Sequence, residues 1–343
     1  MSVSAVFSPS KEIDRLAQAI DPLSSTGAAT APVVGVAIVS YNSFEDIKRC
    51  LKSLAAQTFQ NFHVVIVDNL SPDRSGPALH ELTDRYPFPV YVVLTPENRG
   101  FAAGTNIGIR NCLTLGADLI WLLNPDTECR PGALAALVRC AADYPAAAAF
   151  GSKVIYGGQT EGDCDRLWGA GGTVDNRRGI AAMRGCGEFD TGQFDTIEPC
   201  GYLPGCSMII RRSAVQEIGY LPEEYFLYFE ETDWCATAGQ MGYPLLYVPQ
   251  SVVLHHVLDE KMQRPLVVFF YNRNERRFWM KFGDAALRRR ILKNLIFHSL
   301  PAALRGYWAA PNSDSRAVFR AHLLSLVDFF MPGIGQKLLL RRI

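Results

Sequence analysis

The sequence predicts an α/β protein: a mostly parallel central sheet with helices on both faces, followed by a helical, basic C-terminal extension. Three observations predict it. Short β-branched and aliphatic runs alternate with amphipathic segments from Val33 to Asp143, the pattern of successive strand-helix units. Several of those runs stop abruptly in polar residues, above all at Asn124-Pro125-Asp126. From Leu266 onward the strand signals give way to helical segments with basic faces.

Residues 1–31 are rich in Ser, Ala, Thr and Pro and read as a flexible leader. Val33–Val39 is the first strand. Phe44–Ala56 carries Ile47, Cys50, Leu51 and Leu54 at helical spacing. Val64–Val67 is a second strand, Ser75–Arg85 a helix, Val90–Leu94 a third strand and Ala103–Leu115 a helix. Leu119–Leu123 is a fourth strand, and Pro131-Gly132 opens a helix to Asp143. After Phe150 the pattern loosens. Gly151–Pro204 is rich in Gly, Asp and Arg and reads as loops and short strands. Ser207–Ile210 is again a strand and Thr232–Met241 a helix, with short strands at Leu245–Val248 and Val252–Leu254.

The 343 residues, 48% hydrophobic, suffice for a large core with an appendage. A formal net charge of zero argues against bulk nucleic-acid binding. Nine cysteines without paired spacing fit a reducing compartment and no zinc site. No run of 18 apolar residues is present, so a spanning helix is not expected. The charge is uneven: Lys281–Ile343 has eleven Lys and Arg against three acids.

A carboxylate just past a buried strand, as at Asp126, lies where open α/β sheets bind ligands and suits a divalent ion bridging phosphates. Asn, Pro and Asp also simply build turns. Ser40-Tyr41 and Asp68 follow the first two strands in the same way. No GxGxxG follows the first strand and no GxxxxGK[ST] occurs, which disfavours dinucleotide and P-loop folds. Asn98-Arg99-Gly100 leads into a helix carrying Asn106, a setting suited to an anion or sugar hydroxyls. The aromatic run Tyr225–Phe229 ends in Glu230, Glu231 and Asp233. Acids favour a helix start, but a carboxylate in a partly apolar pocket can also act as a general base. Of the tandem His255-His256, at most one should enter a site.

These motifs, in this order, resemble the inverting family 2 glycosyltransferases of the GT-A fold, closest to a bacterial rhamnosyltransferase-like subset. The resemblance covers about Val33 to Trp279. It rests on Val39–Asn42, Val67–Asn69, Glu97–Gly104, Leu123–Thr127, Tyr228–Trp234 and Val248–His256. It implies a nucleotide-sugar-binding half over 32–150, an acceptor half over 151–258 and a helical basic tail over 259–343. Ser40, Tyr41, Asp68, Asn98, Arg99, Gly100, Asn106, Asn124 and Asp126 match donor-binding positions. Asp126 and His255 match ligands for Mg²⁺ or Mn²⁺, although Asn124 stands where many relatives carry Asp. Glu231, often Asp in relatives, matches the catalytic base, with Glu230 and Asp233 as supporting acids. Asp190, Gln193, Gly205 and Trp234 fall on the acceptor side.

The implied reaction moves a sugar, with dTDP-rhamnose the subset's donor, to a glycan or lipid-linked glycan. The implied setting is the cytoplasm, on the inner face of the cell membrane. The basic tail suits an anionic membrane surface or a contact between subunits. A sugar nucleotidyltransferase would want a Gly-rich basic loop after the first strand, and none follows Val39. A silent binding protein that keeps the fold is the remaining alternative, prompted by Asn124 and Glu231.

Overall fold

A computed structural model describes residues 31–158, 165–256 and 264–340. The expected leader, up to residue 30, lies outside them. The chain forms two compact units. One comprises Met1–Val174, Ala181–Glu223 and Glu231–Val257; the other comprises Asp175–Ile180, Glu224–Glu230 and Leu258–Ile343.

In the first unit, β1 (Val34–Ser40) and β2 (Phe62–Asp68) are buried at every position. Their near-continuous apolar runs are what a strand covered on both faces requires. With β3 (Val90–Leu94) and β4 (Leu119–Leu123) they form a parallel half-sheet in the order β4-β1-β2-β3. The chain runs outward from β1 through β2 to β3, then returns to β1's other side as β4. That reversal opens a crevice at the strands' carboxyl ends.

Helices α1 (Phe44–Ala55), α2 (Ser75–Leu79), α3 (Phe101–Thr114) and α4 (Ala133–Asp143) supply the layers. The sequence reading made α2 twice too long: Pro77 and a short 3-10 turn over His80–Leu82 end it early. Helix α3 packs close on β1 through glycines. A Cβ on Gly108 would lie 2.9 Å from Ala37 Cβ, and one on Gly104 would lie 3.0 Å from Val39 Cγ1.

The second half of the sheet holds strand β6 (Ala149–Tyr156), an eight-residue strand where loops and short strands are expected from Gly151 on. Its Gly, Ser and Lys disguise a buried strand. Ser152 Oγ is 2.7 Å from both Ser207 Oγ and Ser251 Oγ. Lys153 Nζ donates to Asp190 Oδ2 at 2.8 Å and to Asp195 Oδ1 at 2.5 Å. Strand β5 (Thr127–Cys129) was also missed. Strands β7 (Leu167–Gly169) and β10 (Glu198–Pro199) edge the sheet, and β8 (Gly172–Asp175) pairs with β9 (Ile180–Met183) separately. Strand β11 (Ser207–Arg211) runs antiparallel between β4 and β6. Helices α5 (Arg212–Ile218) and α6 (Glu230–Gln240) lead to β12 (Leu245–His255). The two short strands expected at Leu245–Val248 and Val252–Leu254 are one, interrupted by a bulge between Val248 and Val252.

The second unit is built on α7 (Pro265–Phe282), α8 (Ala285–Asn294), α9 (Leu300–Ala309), α10 (Ser313–Phe330) and α11 (Ile334–Leu340). Phe269 and Phe270 of α7 pack with Ala321, Leu324 and the side chains of Phe226 and Leu227. The turn carrying those aromatics has three bulky residues in the left-handed region, Phe226, Tyr228 and Phe229, each strained by about 1–3 kcal/mol. It is held by α7. Arg273 Nη2 donates to the carbonyls of Glu224 (2.9 Å) and Tyr225 (2.6 Å). Asn274 Nδ2 lies 2.7–2.8 Å from the carbonyls of Tyr225, Leu227 and Tyr228. Asp328, fully buried, balances the charge from 3.1 Å of Arg277 and 3.7 Å of Arg273.

An Asn274→Ala substitution takes that donor from the Leu227 and Tyr228 carbonyls beside a strained turn, while Tyr225 keeps Arg273. The expected loss is about 1–3 kcal/mol, read as a lower urea midpoint. An unchanged midpoint would mean that the amide does not hold the turn.

Candidate active site

The crevice begins at the end of β1. Ser40 Oγ is buried and has no hydrogen-bond partner, while Tyr41, the next residue, is exposed. At the end of β2, Asp68 is buried. Its Oδ1 accepts from Ser71 Oγ at 2.5 Å and its Oδ2 from Ser71 N at 3.1 Å. A Cβ on Gly76 would come within 2.6 Å of Asp68 Oδ2, so the carboxylate fits only beside a glycine. Both oxygens of Asp68 are therefore already engaged in shaping the loop, which is more structural work than a free nucleotide ligand would do.

The Asn98-Arg99-Gly100 turn is built around Gly100, whose φ of 92° favours glycine. Asn98 Oδ1 accepts from Gly100 N and from Asn69 Nδ2, each at 2.9 Å. Asn69 Nδ2 also donates to the Gly100 carbonyl at 2.9 Å. Asn69 was quoted in a motif but not chosen from sequence; it is the strut between the second strand and α3. Arg99 points to Glu223, Nη2 to Oε2 at 3.0 Å. Asn106 departs from its expected role. It is buried and bonded on both sides, Nδ2 to the Leu221 carbonyl at 2.8 Å and to Glu223 Oε1 at 3.0 Å, Oδ1 from Leu221 N at 3.0 Å. It fastens α3 to the 221–223 loop, and both protons of its amide are taken up in doing so. Glu223 carried no local signal, because its partners are more than a hundred residues away.

At the end of β4 the chain turns through Asn124 and Asp126 into β5. Asn124 N donates to the Cys206 carbonyl at 3.0 Å, and Asn124 Oδ1 is buried without a partner. Strand β5 pairs with the end of β12 in a register that sets His255 opposite Thr127. His255 Nε2 thereby reaches Asp126 Oδ1 at 3.2 Å, while His256 Nε2 turns to Glu128 Oε1 at 2.7 Å. Of the tandem pair, His255 is the one at the corner. Trp168 meets its ring edge-on, with centroids 4.9 Å apart. Burial opposes a charge on His255, but Cys206 and Asp126 outweigh it and push its pKa up to about 10.

This corner fits a divalent ion. The 3.2 Å between Asp126 Oδ1 and His255 Nε2 is close to the roughly 3 Å between neighbouring ligands on an octahedral ion with bonds of about 2.1 Å. The orphaned Asn124 oxygen is a third donor of the right kind. Among the described residues, no group of three or more His, Cys, Asp or Glu is placed to hold a metal. The carboxylate at this corner is Asp126, with the His255 ring nitrogen beside it.

Glu231 lies in the first turn of α6, and its Oε2 is buried without a partner. Burial pushes its pKa up to about 7, against backbone hydrogen bonds that would lower it. Gly205 faces it: a Cβ there would stand 3.5 Å from Glu231 Cγ. The loop that carries Gly205 is tied to Asn124 through Cys206, so one backbone segment touches both ends of the crevice.

The other acceptor-side expectations change. Trp234 is core, its Nε1 donating to the Gly219 carbonyl at 2.9 Å. Asp190 is the counter-ion of Lys153 at 2.8 Å. Gln193 closes its own loop, with Oε1 accepting from Thr191 N and Nε2 donating to the Phe189 carbonyl, each at 2.7 Å. Asp233 is buried and accepts from Thr237 Oγ1 at 3.3 Å, and Glu230 is buried.

A family model described as Glycosyl transferase family 2 matches residues 35–219. Over 249 residues the chain is 28% identical to the N-acetylglucosaminyl-diphospho-decaprenol L-rhamnosyltransferase of Mycobacterium tuberculosis, covering 65% of this chain and 76% of that relative. It is 25% identical over 219 residues to the low-salt glycan biosynthesis hexosyltransferase Agl10 of Haloferax volcanii, covering 60% and 61%. Its fold is similar to that of GalNAc-T7 with UDP, GalNAc and Mn²⁺ (TM-score 0.60, 16% identity, 90% of this chain and 57% of that one). It is also similar to mannosyltransferase PcManGT from Pyrobaculum calidifontis in complex with GDP-Man and Mn²⁺ (TM-score 0.56, 15% identity, 95% of both chains). The fold is GT-A, as expected from the sequence.

The raised pKa of Glu231 has a consequence for stability. An acid whose folded pKa lies above its unfolded 4.5 stabilises fully below about pH 4.5, and that stability is lost as pH rises through about 7. Glu231→Gln should therefore melt at a higher temperature than wild type above pH 7, and the gain should vanish below pH 4.5. Parallel melting curves from pH 4 to 8 would show the carboxylate to be solvated.

Proposed function

The chain belongs to glycosyl transferase family 2, and from that premise we propose that it is an inverting, divalent-ion-dependent glycosyltransferase that moves a sugar from a nucleotide-diphosphate donor to a lipid-linked glycan in cell-surface polysaccharide synthesis. The observation that carries the reading is Glu231: a carboxyl with a pKa near 7 and an unpartnered oxygen, facing the Gly205 loop whose Cys206 carbonyl is bonded to Asn124. The donor to test first is dTDP-rhamnose, because the mycobacterial relative is an L-rhamnosyltransferase whose acceptor is a diphospho-decaprenol.

In this reading Asp126 and His255, the latter giving up its proton to the solvent as the ion enters, would hold Mg²⁺ or Mn²⁺, with Asn124 offering its free oxygen. The ion, when bound, supplies Lewis-acid stabilisation of the departing nucleoside diphosphate. Ser40, Tyr41 and the Asn98-Arg99-Gly100 turn frame the donor at the strand ends, with Asn69 and Asn106 keeping that frame rigid. Glu231 accepts the proton of the acceptor hydroxyl as its oxygen bonds to the anomeric carbon. The carbon–phosphate oxygen bond breaks on the opposite face, so the anomeric centre inverts. A base with a pKa near the working pH is the efficient choice for this transfer. Glu230 and Asp233 are held inside the helix start and orient the base.

The expected domain division is proposed on the same ground: donor half over 32–150, acceptor half over 151–258, helical tail over 259–343. No helix among the described residues is long and apolar enough to cross a membrane, so the proposed place of action is the membrane's cytoplasmic face rather than its interior.

Glu231→Gln is expected to lower kcat by about 10²–10⁴-fold with donor KM nearly unchanged, and the wild-type rate should climb with pH to a plateau with its midpoint near 7. Unchanged transfer in the variant sinks the base assignment. Asp126→Ala should abolish the Mn²⁺-dependent part of donor binding, measured by calorimetry with and without chelator. Identical wild-type binding in both conditions would refute the bridging role. No transfer or hydrolysis across a panel of nucleotide sugars would favour a silent binding protein.

A further inference from the structure

Helix α8, the π-type turn Leu295–Ser299 and helix α9 follow one another without a break. Along them Leu292, Ile296, Leu300, Leu304 and Trp308 recur every fourth residue, with Phe297 beside them. All six are exposed, from 37% at Leu292 to 79% at Trp308. In a regular α-helix a four-residue row drifts by about 40° each step. The wider turn at Leu295–Ser299 advances less per residue and winds the row back, so the row stays on one side.

The charges on this stretch all have one sign. From Ala285 to Ala309 there are five Lys and Arg and no Asp or Glu. Arg288, Arg289, Arg290, Lys293 and Arg305 are all exposed. Three of the guanidiniums donate to backbone carbonyls of Lys281, Ala285 and Arg178 rather than to carboxylates. Arg289 and Lys293 also line an open depression of about 610 Å³ with Asn294 and Phe297.

We infer that this face is a docking surface for an anionic lipid membrane, on which α8 and α9 lie flat with the apolar row in the headgroup region. A row of Leu, Ile and Phe with a terminal Trp, flanked by cations, has the chemistry of an interfacial helix. A second copy of the chain fits it poorly: a two-fold interface would set five cations against the same five, and charged residues are depleted from interface cores. The surface deepens the reading of a lipid-linked acceptor, on which its purpose rests.

The test is cosedimentation of the full chain with vesicles of phosphatidylcholine alone or with roughly one third phosphatidylglycerol. Binding to the anionic vesicles is expected, at least about 10-fold weaker to the neutral ones and weakened by salt. The pairs Phe297→Ser with Trp308→Ser, and Arg289→Glu with Lys293→Glu, should each lower it about 10-fold while leaving the melting temperature and transfer to a water-soluble acceptor unchanged. Equal binding to both vesicles, wild-type binding by both variants, or no vesicle binding together with a dimer that the variants lose would each overturn the inference. Binding is read without donor or acceptor. A chain that docks on vesicles but transfers no sugar would leave the surface standing and sink the transferase reading. One that transfers sugar but ignores vesicles would do the reverse.

Discussion

The site depends on one pairing, that of β5 with the end of β12. It brings Asp126 and His255, 129 residues apart, to 3.2 Å. Strand β12 reaches this place only after its bulge, where the register against β6 jumps from Val248–Ser152 to Val252–Lys153. Pro249, Gln250 and Ser251 are the extra residues. Proline has no N–H to give to a ladder, so the excursion falls where pairing is cheapest to interrupt. Three is an odd number, so the excursion also reverses the in-out alternation of everything after it. The face on which His255 emerges is therefore a product of the bulge.

That same odd step explains why the choice between His255 and His256 was not legible in the sequence. Counting from Val248 gives the wrong parity unless the bulge is known. The parallel half of the sheet was legible because β1, β2 and β4 are buried throughout and the half-exposed β3 is still an unbroken β-branched, aromatic and aliphatic run. Val90–Leu94 and Leu119–Leu123 match the sequence reading residue for residue. Strand β6 was not, because its burial is made acceptable by partners remote in sequence. Ser152 needs Ser207 and Ser251, and Lys153 needs Asp190 and Asp195. Burial lowers the pKa of Lys153, and the two carboxylates outweigh that and raise it. A polar residue in a strand reads as a loop until its partners are known.

The same distinction sorts the site residues. Positions defined by the end of a strand, Ser40 and Asp126 among them, emerge where the motif put them. Positions chosen for their chemistry within a motif divide according to what else they touch. Asn106 is spent on Leu221 and Glu223, Trp234 on Gly219, Gln193 on its own loop. In these the motif marks a residue that keeps the frame in shape. Asn69 is the converse, a frame residue whose amide bridges two loops. A motif thus mixes residues at strand ends with residues whose hydrogen bonds hold the frame, and their partners tell them apart.

The two ends of the crevice hold carboxylates in opposite surroundings, and the chemistry follows from that difference. Asp126 has an imidazole against it, the setting in which a carboxylate oxygen and a ring nitrogen could share one cation. Among the described residues no cation pairs with Glu231 and one of its oxygens has no partner, so desolvation governs it and proton affinity rises to about 7. Had Glu231 stood beside a guanidinium it would be a poor base at neutral pH; had Asp126 been desolvated like Glu231 it would bind metal poorly. A Cβ at 205 would stand 3.5 Å from Glu231 Cγ, in ordinary contact, and the Asn124–Cys206 hydrogen bond fixes the backbone of that loop. Pairs of acids whose environments drive their proton affinities apart are how one crevice can hold a leaving group and activate a nucleophile together.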